Sequence, residues 1–157
     1  MQNYNYYKIT SQNYVYIGKT KKDITIRFMQ HVNNYTLYKK NPFGSVNFTS
    51  SFLLFDRFGI ENCTISLITT ILCNTKEQAS MLEGLFIVNF KNNRDFVAIN
   101  KNIAGRSQEE YRLANIGKIN EKHNCCCGGK FTYNGHGQHR KTFKHINYLA
   151  GQLIQPA

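Results

Sequence analysis

The last third of the chain lacks the material for a hydrophobic core. Residues 117–145 read GKINEKHNCCCGGKFTYNGHGQHRKTFKH and consist mainly of glycine, cysteine, histidine and basic residues. A segment with so few aliphatic side chains cannot bury enough apolar surface to order itself. The sequence therefore predicts one modest core over residues 1–105. It also predicts a C-terminal part, residues 106–157, that begins with a connecting helix ending near residue 122 and needs another source of stability.

A bound metal ion is the source of stability that the cysteines and histidines of this part indicate. Cys125 and Cys127 are two residues apart, and the Gly-Gly pair behind them allows a tight turn with both thiolates on the inside. His139 and His145 follow on a helix-like stretch, which completes the Cys2His2 ligand set of tetrahedral zinc. Adjacent cysteines do not easily bridge each other, which disfavours disulfides. The competing ligands nearby are Cys126, His123 and His136.

Two runs at the N-terminus, NYNYYKI and NYVYIG, are rich in tyrosine, valine and isoleucine and predict a β-hairpin. With the Ser-Gln pair between them as the turn, Tyr7 lies opposite Tyr16, and both phenols share one face of the ribbon. Tyr6 then points to the other face. The second run ends at Gly18, where the missing side chain lets another group approach the backbone closely.

The periodicity changes from alternating to helical at Asp23. Apolar side chains then recur at helical spacing, and Asp23 is placed to accept a hydrogen bond from the first turn as an N-cap. Arg27 and His31, four residues apart, form a polar stripe beside the apolar face. The residues of that apolar face are Ile24, Phe28, Val32 and Tyr35.

The rest of the first part reads as two more helices and two extended segments. A helix is expected from Thr49 to Phe58, and the β-branched run CTISLITTIL predicts a third, well-buried strand. The run KEQASMLEGLFIVNFK predicts a helix that carries Glu83 among its core-facing apolar residues, where a carboxylate needs a partner. The extended piece FVAIN ends in Asn100. Together the elements indicate an α/β (α+β) fold, with a small three-stranded antiparallel sheet flanked by helices.

The charge of the chain bears on its partners. A net charge of +11 and a pI near 9.5 indicate a polyanionic partner, although charge alone does not distinguish DNA from RNA or anionic lipid. No apolar run approaches the roughly 20 residues that a helix needs to cross a bilayer. The N-terminus also lacks the basic flank and apolar stretch of a signal peptide. We therefore expect a soluble intracellular protein that does not bind membranes.

Five blocks of the first part resemble the GIY-YIG nuclease family. They occur in the family's order: YYKI, YVYIGKT, IRFMQH, MLEGLFI with Glu83, and AIN with Asn100. The first block has Tyr-Tyr-Lys in place of Gly-Ile-Tyr, and Tyr7 is the expected working phenol because it shares a face with Tyr16. The chain looks most like the versions found in large DNA viruses, in which a Cys/His tail follows the nuclease part.

The resemblance implies metal-dependent hydrolysis of DNA phosphodiester bonds. Tyr7 is expected to act as the general base, which requires a cation such as Lys19 to stabilise its phenolate. Arg27 is expected to hold the scissile phosphate, and Glu83 to hold one Mg²⁺ or Mn²⁺ ion. The remaining expected roles are a proton relay for His31, positioning for Tyr16 and loop-tying hydrogen bonds for Asn100.

The tail resembles small zinc fingers of the pattern Cys-x-Cys-Gly-Gly, then His, Lys-Thr and His, that are appended to viral proteins. The resemblance implies a structural zinc ion and a finger that helps to bind double-stranded DNA. No small-molecule cofactor is expected. Two other functions stay open: a catalytically silent nucleic-acid-binding module and a structure-specific RNA nuclease. The residues expected to contact phosphates are Lys130, Arg140, Lys141 and Lys144.

Overall fold

A computed structural model describes residues 1–152 and shows two compact units, residues 1–106 and the residues from Ser107 onward. The expected boundary at residue 105 lies beside this division, and residues 153–157 lie outside the described region. The elements of the first unit are β1 (Gln2–Ser11), β2 (Tyr14–Thr20), α1 (Ile24–Lys40), α2 (Phe52–Phe58), β3 (Thr64–Cys73), α3 (Lys76–Asn92) and β4 (Val97–Ala98). Those of the second are α4 (Gln108–Asn120), β5 (His123–Asn124), β6 (Lys130–Phe131), a 3-10 turn (Tyr133–Gly135), α5 (His136–His139) and α6 (Phe143–Gln152).

The first unit is built on a four-stranded sheet in the order β3-β1-β2-β4. Strand β1 pairs antiparallel with both β2 and β3, whereas β4 pairs parallel with β2. The predicted α+β class is confirmed, but the prediction of three antiparallel strands is wrong by one strand. The extended piece FVAIN, which was too short to predict as a strand, adds Val97 and Ala98 to the edge of β2.

The hairpin register differs from the predicted one by two residues. The turn lies at Gln12 and Asn13, with Gln12 at a φ of 51°, so that Tyr7 faces Gly18 rather than Tyr16. Side chains alternate between the two faces of a strand, so a slip of two residues keeps every side chain on its own face. Tyr7 and Tyr16 therefore still share a face, as predicted.

Helix α1 begins where the sequence indicates. The Asp23 side chain accepts a hydrogen bond from the Thr25 amide, which confirms the predicted N-cap. Helix α2 ends at Gly59 (φ 81°) as predicted, but it begins at Phe52 instead of Thr49. The preceding serines do not cap it: Ser50 Oγ accepts from the Lys101 amide and Ser51 Oγ bonds to a histidine.

Strand β3 is not the well-buried strand that its β-branched run predicts. It lies at the edge of the sheet, and Leu67 and Leu72 are 48% and 55% exposed. An apolar run shows that a strand has apolar faces, but not how many neighbours it has, and β3 has a strand on one side only.

The sheet lies between two helical layers. Helix α3 covers one face, where Tyr6, Val15 and Ile17 are buried, and helices α1 and α2 cover the other. Tyr7 is among the residues buried on that second face, against Phe52 of α2. The two neighbouring tyrosines of β1 thus belong to different cores. None of the helices within residues 1–152 is long and apolar enough to cross a membrane.

The second unit starts with α4, whose N-terminus carries a capping box. Ser107 Oγ accepts from the Glu110 amide, and the Glu110 carboxylate accepts from the Ser107 amide. A two-stranded ribbon, β5 and β6, follows. The predicted helix-like stretch is two helices, with His139 at the end of α5 and His145 in the first turn of α6.

Candidate active site and candidate metal centre

Three of the predicted side chains meet at the hydroxyl of Tyr7. Tyr7 Oη lies 2.7 Å from His31 Nε2, and Arg27 Nε donates a hydrogen bond to it at 3.2 Å. Helix α1 supplies both partners because residues four apart share one side of a helix. Gln30, whose side chain accepts from Arg27 Nη1 at 3.3 Å, holds the other end of the guanidinium. The predicted association of Tyr7, Arg27 and His31 is therefore present.

The absence of a side chain at Gly18 makes room for this arrangement. A β-carbon at that position would lie 2.5 Å from Tyr7 Oη and 2.6 Å from Tyr7 Cζ. The sequence predicted a close approach at Gly18, and the approaching group is the catalytic candidate itself.

Burial and charge set the protonation of this cluster. His31 is only 2% exposed, and burial together with the Arg27 charge lowers its pKa to about 4, so the ring is neutral at pH 7. Burial raises the pKa of Tyr7, the Arg27 charge and hydrogen bond act in the opposite direction, and the Glu83 charge raises it further. The Tyr7 hydroxyl thus carries its proton in the resting protein.

Tyr16 packs against the same histidine. Its ring centroid lies 5.4 Å from that of His31 in an edge-to-face arrangement, and the Tyr7 ring meets His31 in the same way at 5.9 Å. Burial, with smaller contributions from Tyr7 and Glu83, raises the pKa of Tyr16. A half-buried phenol whose pKa is raised fits the expected positioning role better than a role in proton transfer.

Glu83 forms an ion pair with Lys19. The Lys19 Nζ lies 2.6 Å from Glu83 Oε2 and also donates to Ser80 Oγ at 2.9 Å, and both charged side chains are about 15% exposed. Lys19 is therefore not beside the Tyr7 phenol, where the sequence interpretation placed it. The physical reason is strand alternation: Gly18 faces Tyr7, so the next residue points to the opposite, α3-covered side of the sheet.

A cavity of about 240 Å³ connects Glu83 with Tyr16. Its other lining residues include Ser50 and Asn102, whose side chains offer oxygen atoms. Mg²⁺ prefers oxygen ligands and keeps several of its waters, so one carboxylate in a cavity of this size fits a partly hydrated cation. The residues present are thus compatible with a divalent ion at Glu83.

The side-chain amide of Asn100 takes the place of a backbone peptide group of a neighbouring strand. Its Oδ1 accepts from the Ile17 amide at 2.9 Å, and its Nδ2 donates to the Ile17 carbonyl at 2.8 Å. These bonds continue the β2–β4 ladder after Ala98, where β4 ends. Both polar ends of the Asn100 amide are occupied, which agrees with the expected tying role and leaves the side chain no free group for chemistry.

Ser51 belongs to the cluster although no sequence pattern marked it. Its hydroxyl is fully buried and lies 2.9 Å from His31 Nδ1, the ring nitrogen opposite to the one that meets Tyr7. The only available signal was a serine before the apolar residues of α2, which is typical of a helix cap. The interaction crosses from one helix to another, so local spacing could not reveal it.

The second unit brings together the four predicted zinc ligands. One ligand atom from each of Cys125, Cys127, His139 and His145 lies within 4.8 Å of the others. The Sγ–N distances are 3.3 Å for Cys125–His145 and 3.4 Å for Cys127–His139. Tetrahedral zinc, with bonds of about 2.0–2.3 Å, places its ligand atoms about 3.3–3.8 Å apart. This Cys2His2 cluster can bind a metal ion such as zinc.

The competing ligands lie outside the cluster. Cys126 is exposed, and its nearest thiol contact is Cys125 at 3.9 Å. The rings of His123 and His136 pack against Phe131. A backbone hydrogen bond from Cys127 is the largest cause that lowers the pKa of the Cys125 thiol, to about 7. The thiolate form that a metal requires is therefore accessible near neutral pH.

The Gly-Gly pair forms the tight turn that the sequence predicted. Gly128 has a φ of 72°, and its amide donates to the Cys125 carbonyl at 2.9 Å. A β-carbon on Gly129 would lie 2.6 Å from the His139 ring, so only glycine lets this ligand approach.

The four basic residues expected to contact phosphates are exposed, but one of them has an internal role. Lys144 Nζ donates to the Gly128 carbonyl at 3.0 Å and so supports the ligand turn. Within residues 1–152, the side chains that make no such bond are Lys130, Arg140 and Lys141.

Comparisons of this chain with protein-family models, curated proteins and solved structures give no match. The likeness to GIY-YIG nucleases therefore remains a hypothesis based on five short blocks. The contacts among Tyr7, Arg27 and His31, and the cavity shared by Glu83 and Tyr16, are independent of that likeness.

Proposed function

We propose that the first unit is a metal-dependent nuclease that hydrolyses phosphodiester bonds of DNA, as members of the GIY-YIG family do. One observation carries the proposal: a phenol, a guanidinium and a neutral imidazole share one hydrogen-bonded cluster, and a lone carboxylate borders the cavity next to it. A core assembled for stability alone has no need to bury a histidine with a lowered pKa against two polar partners.

The chemistry follows from these groups. Phosphodiester hydrolysis needs a deprotonated water, compensation of charge at phosphorus and stabilisation of the leaving oxygen. Tyr7 accepts the proton of the attacking water once its own proton has left the cluster, and His31 holds the phenol oxygen by a hydrogen bond. Arg27 binds two oxygens of the scissile phosphate through its planar fork. As water attacks phosphorus, the bond from phosphorus to the leaving oxygen breaks.

The lone carboxylate has the complementary task. Glu83 with the surrounding oxygen atoms would hold a divalent cation, which, when bound, supplies positive charge for the leaving oxygen. Lys19 already neutralises part of the Glu83 charge and has to share the carboxylate with that cation. This arrangement favours weak metal binding that is completed by substrate, as a single carboxylate ligand implies.

The second unit would contribute DNA binding. A zinc ion at the Cys2His2 cluster is proposed to be structural, because binding of that ion is worth on the order of 10 kcal/mol to a segment with little core. The exposed cations Lys130, Arg140 and Lys141 would then contact phosphates in any sequence context.

Cleavage of supercoiled plasmid in Mg²⁺ tests the proposed function. We expect nicking or linearisation that EDTA abolishes, and a loss of at least about a hundredfold in Glu83→Gln and Tyr7→Phe. Glu77→Gln, an exposed glutamate of the same helix, is the matched control and should cleave normally.

The alternatives give different results in the same experiment. DNA binding by fluorescence anisotropy without cleavage in any metal would indicate the silent binding module, and preferential cleavage of a labelled RNA hairpin would indicate an RNA nuclease. Cleavage by Glu83→Gln at the wild-type rate would refute the assigned site.

A further inference from the structure

Ser51, His31 and Tyr7 form a hydrogen-bonded chain. The Ser51 hydroxyl meets His31 Nδ1 at 2.9 Å, and His31 Nε2 meets Tyr7 Oη at 2.7 Å. Among the residues that the structure describes, His31 Nδ1 is the one hydrogen-bond partner of this hydroxyl. Ser51 and Tyr7 are fully buried, so bulk water reaches neither hydroxyl while Arg27 stays on Tyr7.

The hydrogen-bonded chain Ser51–His31–Tyr7 holds one proton more than its hydrogen bonds can use. The serine, the neutral imidazole and the phenol each carry one proton, but the chain contains only two hydrogen bonds to receive them. His31 does not take up the extra proton at neutral pH, because burial and Arg27 hold its pKa at about 4. One proton must therefore be left over at one end, on Ser51 or on Tyr7.

The two ends are not equivalent. A surplus proton on Ser51 would be a hydroxyl donor in the interior with no acceptor, which native proteins rarely tolerate. The Tyr7 end lies against Arg27, which is only half-buried, so water or a phosphate oxygen can reach a proton there when the guanidinium turns to substrate. The surplus belongs at Tyr7.

We propose that Ser51 is a positioning residue whose hydroxyl donates to His31 Nδ1, keeps the imidazole proton on Nε2, and makes the Tyr7 proton the one that leaves the cluster. The tautomer is inferred from the contacts of the three residues, the neutrality of His31 and the exposure of Arg27. The consequence for cleavage rests on the proposed nuclease function.

This tautomer prepares Tyr7 for its role. Tyr7 Oη then accepts from two donors, His31 Nε2–H and Arg27 Nε–H, and both favour the phenolate. Of the other groups near the cluster, Tyr16 from β2 packs its ring on His31, and the charge of Glu83 from α3 acts against the Tyr7 phenolate. Without the Ser51 donor, the imidazole proton can move to Nδ1, and Nε2 becomes an acceptor that retains the phenol proton.

Nitrogen NMR of histidine-labelled protein tests the tautomer directly and requires no DNA. The full-length protein is labelled with ¹⁵N-histidine. The signals that are absent from the spectrum of the His31→Gln variant are assigned to His31. We expect wild-type His31 to be protonated on Nε2 and unprotonated on Nδ1. Ser51→Ala should move a large fraction of the proton to Nδ1, and Ser51→Thr, which keeps the hydroxyl, should restore it. Ser11→Ala, which removes another buried serine hydroxyl, is the control and should leave His31 unchanged.

The outcomes separate the two proposals. A wild-type proton on Nδ1, or an identical tautomer in folded Ser51→Ala, overturns the role of Ser51, and the wild-type result decides even if Ser51→Ala does not fold. In the cleavage assay, Ser51→Ala should shift the rising limb of the pH–rate profile upward by about one unit with unchanged DNA affinity. Absence of cleavage in wild type would refute the nuclease proposal, whereas the NMR result would still decide for or against Ser51.

Discussion

Replacement of Gly18 by alanine tests the packing that holds Tyr7 at the centre of the candidate site. The added β-carbon would lie 2.5 Å from Tyr7 Oη, well inside contact distance. The phenol cannot easily withdraw, because Tyr7 is fully buried and its oxygen is hydrogen-bonded to His31 and Arg27. The substitution should therefore push β2 and the Tyr7 ring apart.

The expected magnitude combines two opposing effects. Overpacking of a well-packed core costs about 1–3 kcal/mol. Alanine also restricts the unfolded chain, which stabilises by about 0.4–1 kcal/mol where the backbone tolerates it, and Gly18 is not one of the glycines with positive φ. The free energy of unfolding should fall by about 0–2.6 kcal/mol. Cleavage should fall further than this loss explains, since Tyr7 is displaced from His31.

Urea unfolding followed by circular dichroism measures the first effect, and plasmid nicking measures the second. Gly117→Ala is the control, because a β-carbon there meets nothing within 4 Å in helix α4. It should stabilise the protein by about 0.5–1 kcal/mol and leave cleavage unchanged. Normal stability and normal cleavage in Gly18→Ala would show that the close contact with Tyr7 does not exist.

Further predictions concern pH, the metal centre and DNA binding. The folded pKa of His31, about 4, is below its ordinary value, so the unfolded chain takes up the proton first as pH falls. Stability should therefore decrease between about pH 6.5 and pH 4, by up to about 1.4 kcal/mol per unit, and less steeply in His31→Gln when both are unfolded in urea across that range. Cys126→Ser should retain about one zinc per chain by elemental analysis and Cys127→Ser should lose it; the reverse result would contradict the ligand set. Lys141→Ala should weaken DNA binding and reduce the salt slope by about one, measured by anisotropy at several salt concentrations. Lys144→Ala should instead lower the thermal stability of the finger, because its ammonium binds a carbonyl of the ligand turn.

Local patterns predicted the parts of the fold that depend on neighbours in sequence. Helix α1 followed from its apolar period and the Asp23 cap, and the shared face of Tyr7 and Tyr16 followed from strand alternation. The register failed because it depends on the turn, and the Gln12–Asn13 turn has no glycine to mark it. Strand alternation is insensitive to a register error of two residues, so Tyr7 and Tyr16 share a face although the predicted pairing was wrong.

Partners chosen across the fold could not be predicted. The expected position of Lys19 was based on its place next to Gly18 in the chain, yet its ammonium binds Glu83 on the other side of the sheet. Ser51 directly precedes α2 in the chain, yet its hydroxyl bonds to His31 of another helix. In the metal centre the opposite holds: Cys125 and Cys127 share one tight turn, and such local geometry is encoded in the spacing itself.

The short strand β4 explains how groups from opposite faces of a sheet can serve one site. Tyr16 points to the α1 side of β2, whereas Glu83 comes from α3 on the other side, and a continuous sheet would separate them. Strand β4 ends at Ala98, so from Tyr16 onward β2 has a neighbouring strand only on its β1 side, and the cavity opens on the other side with both side chains in its wall. The Asn100 amide pairs with Ile17 where the next strand peptide would have been, so β2 keeps its hydrogen bonds without the strand that would close the cavity. Asn100 thus contributes to the candidate site because it satisfies the backbone groups of Ile17 beyond the end of β4 and leaves the cavity open.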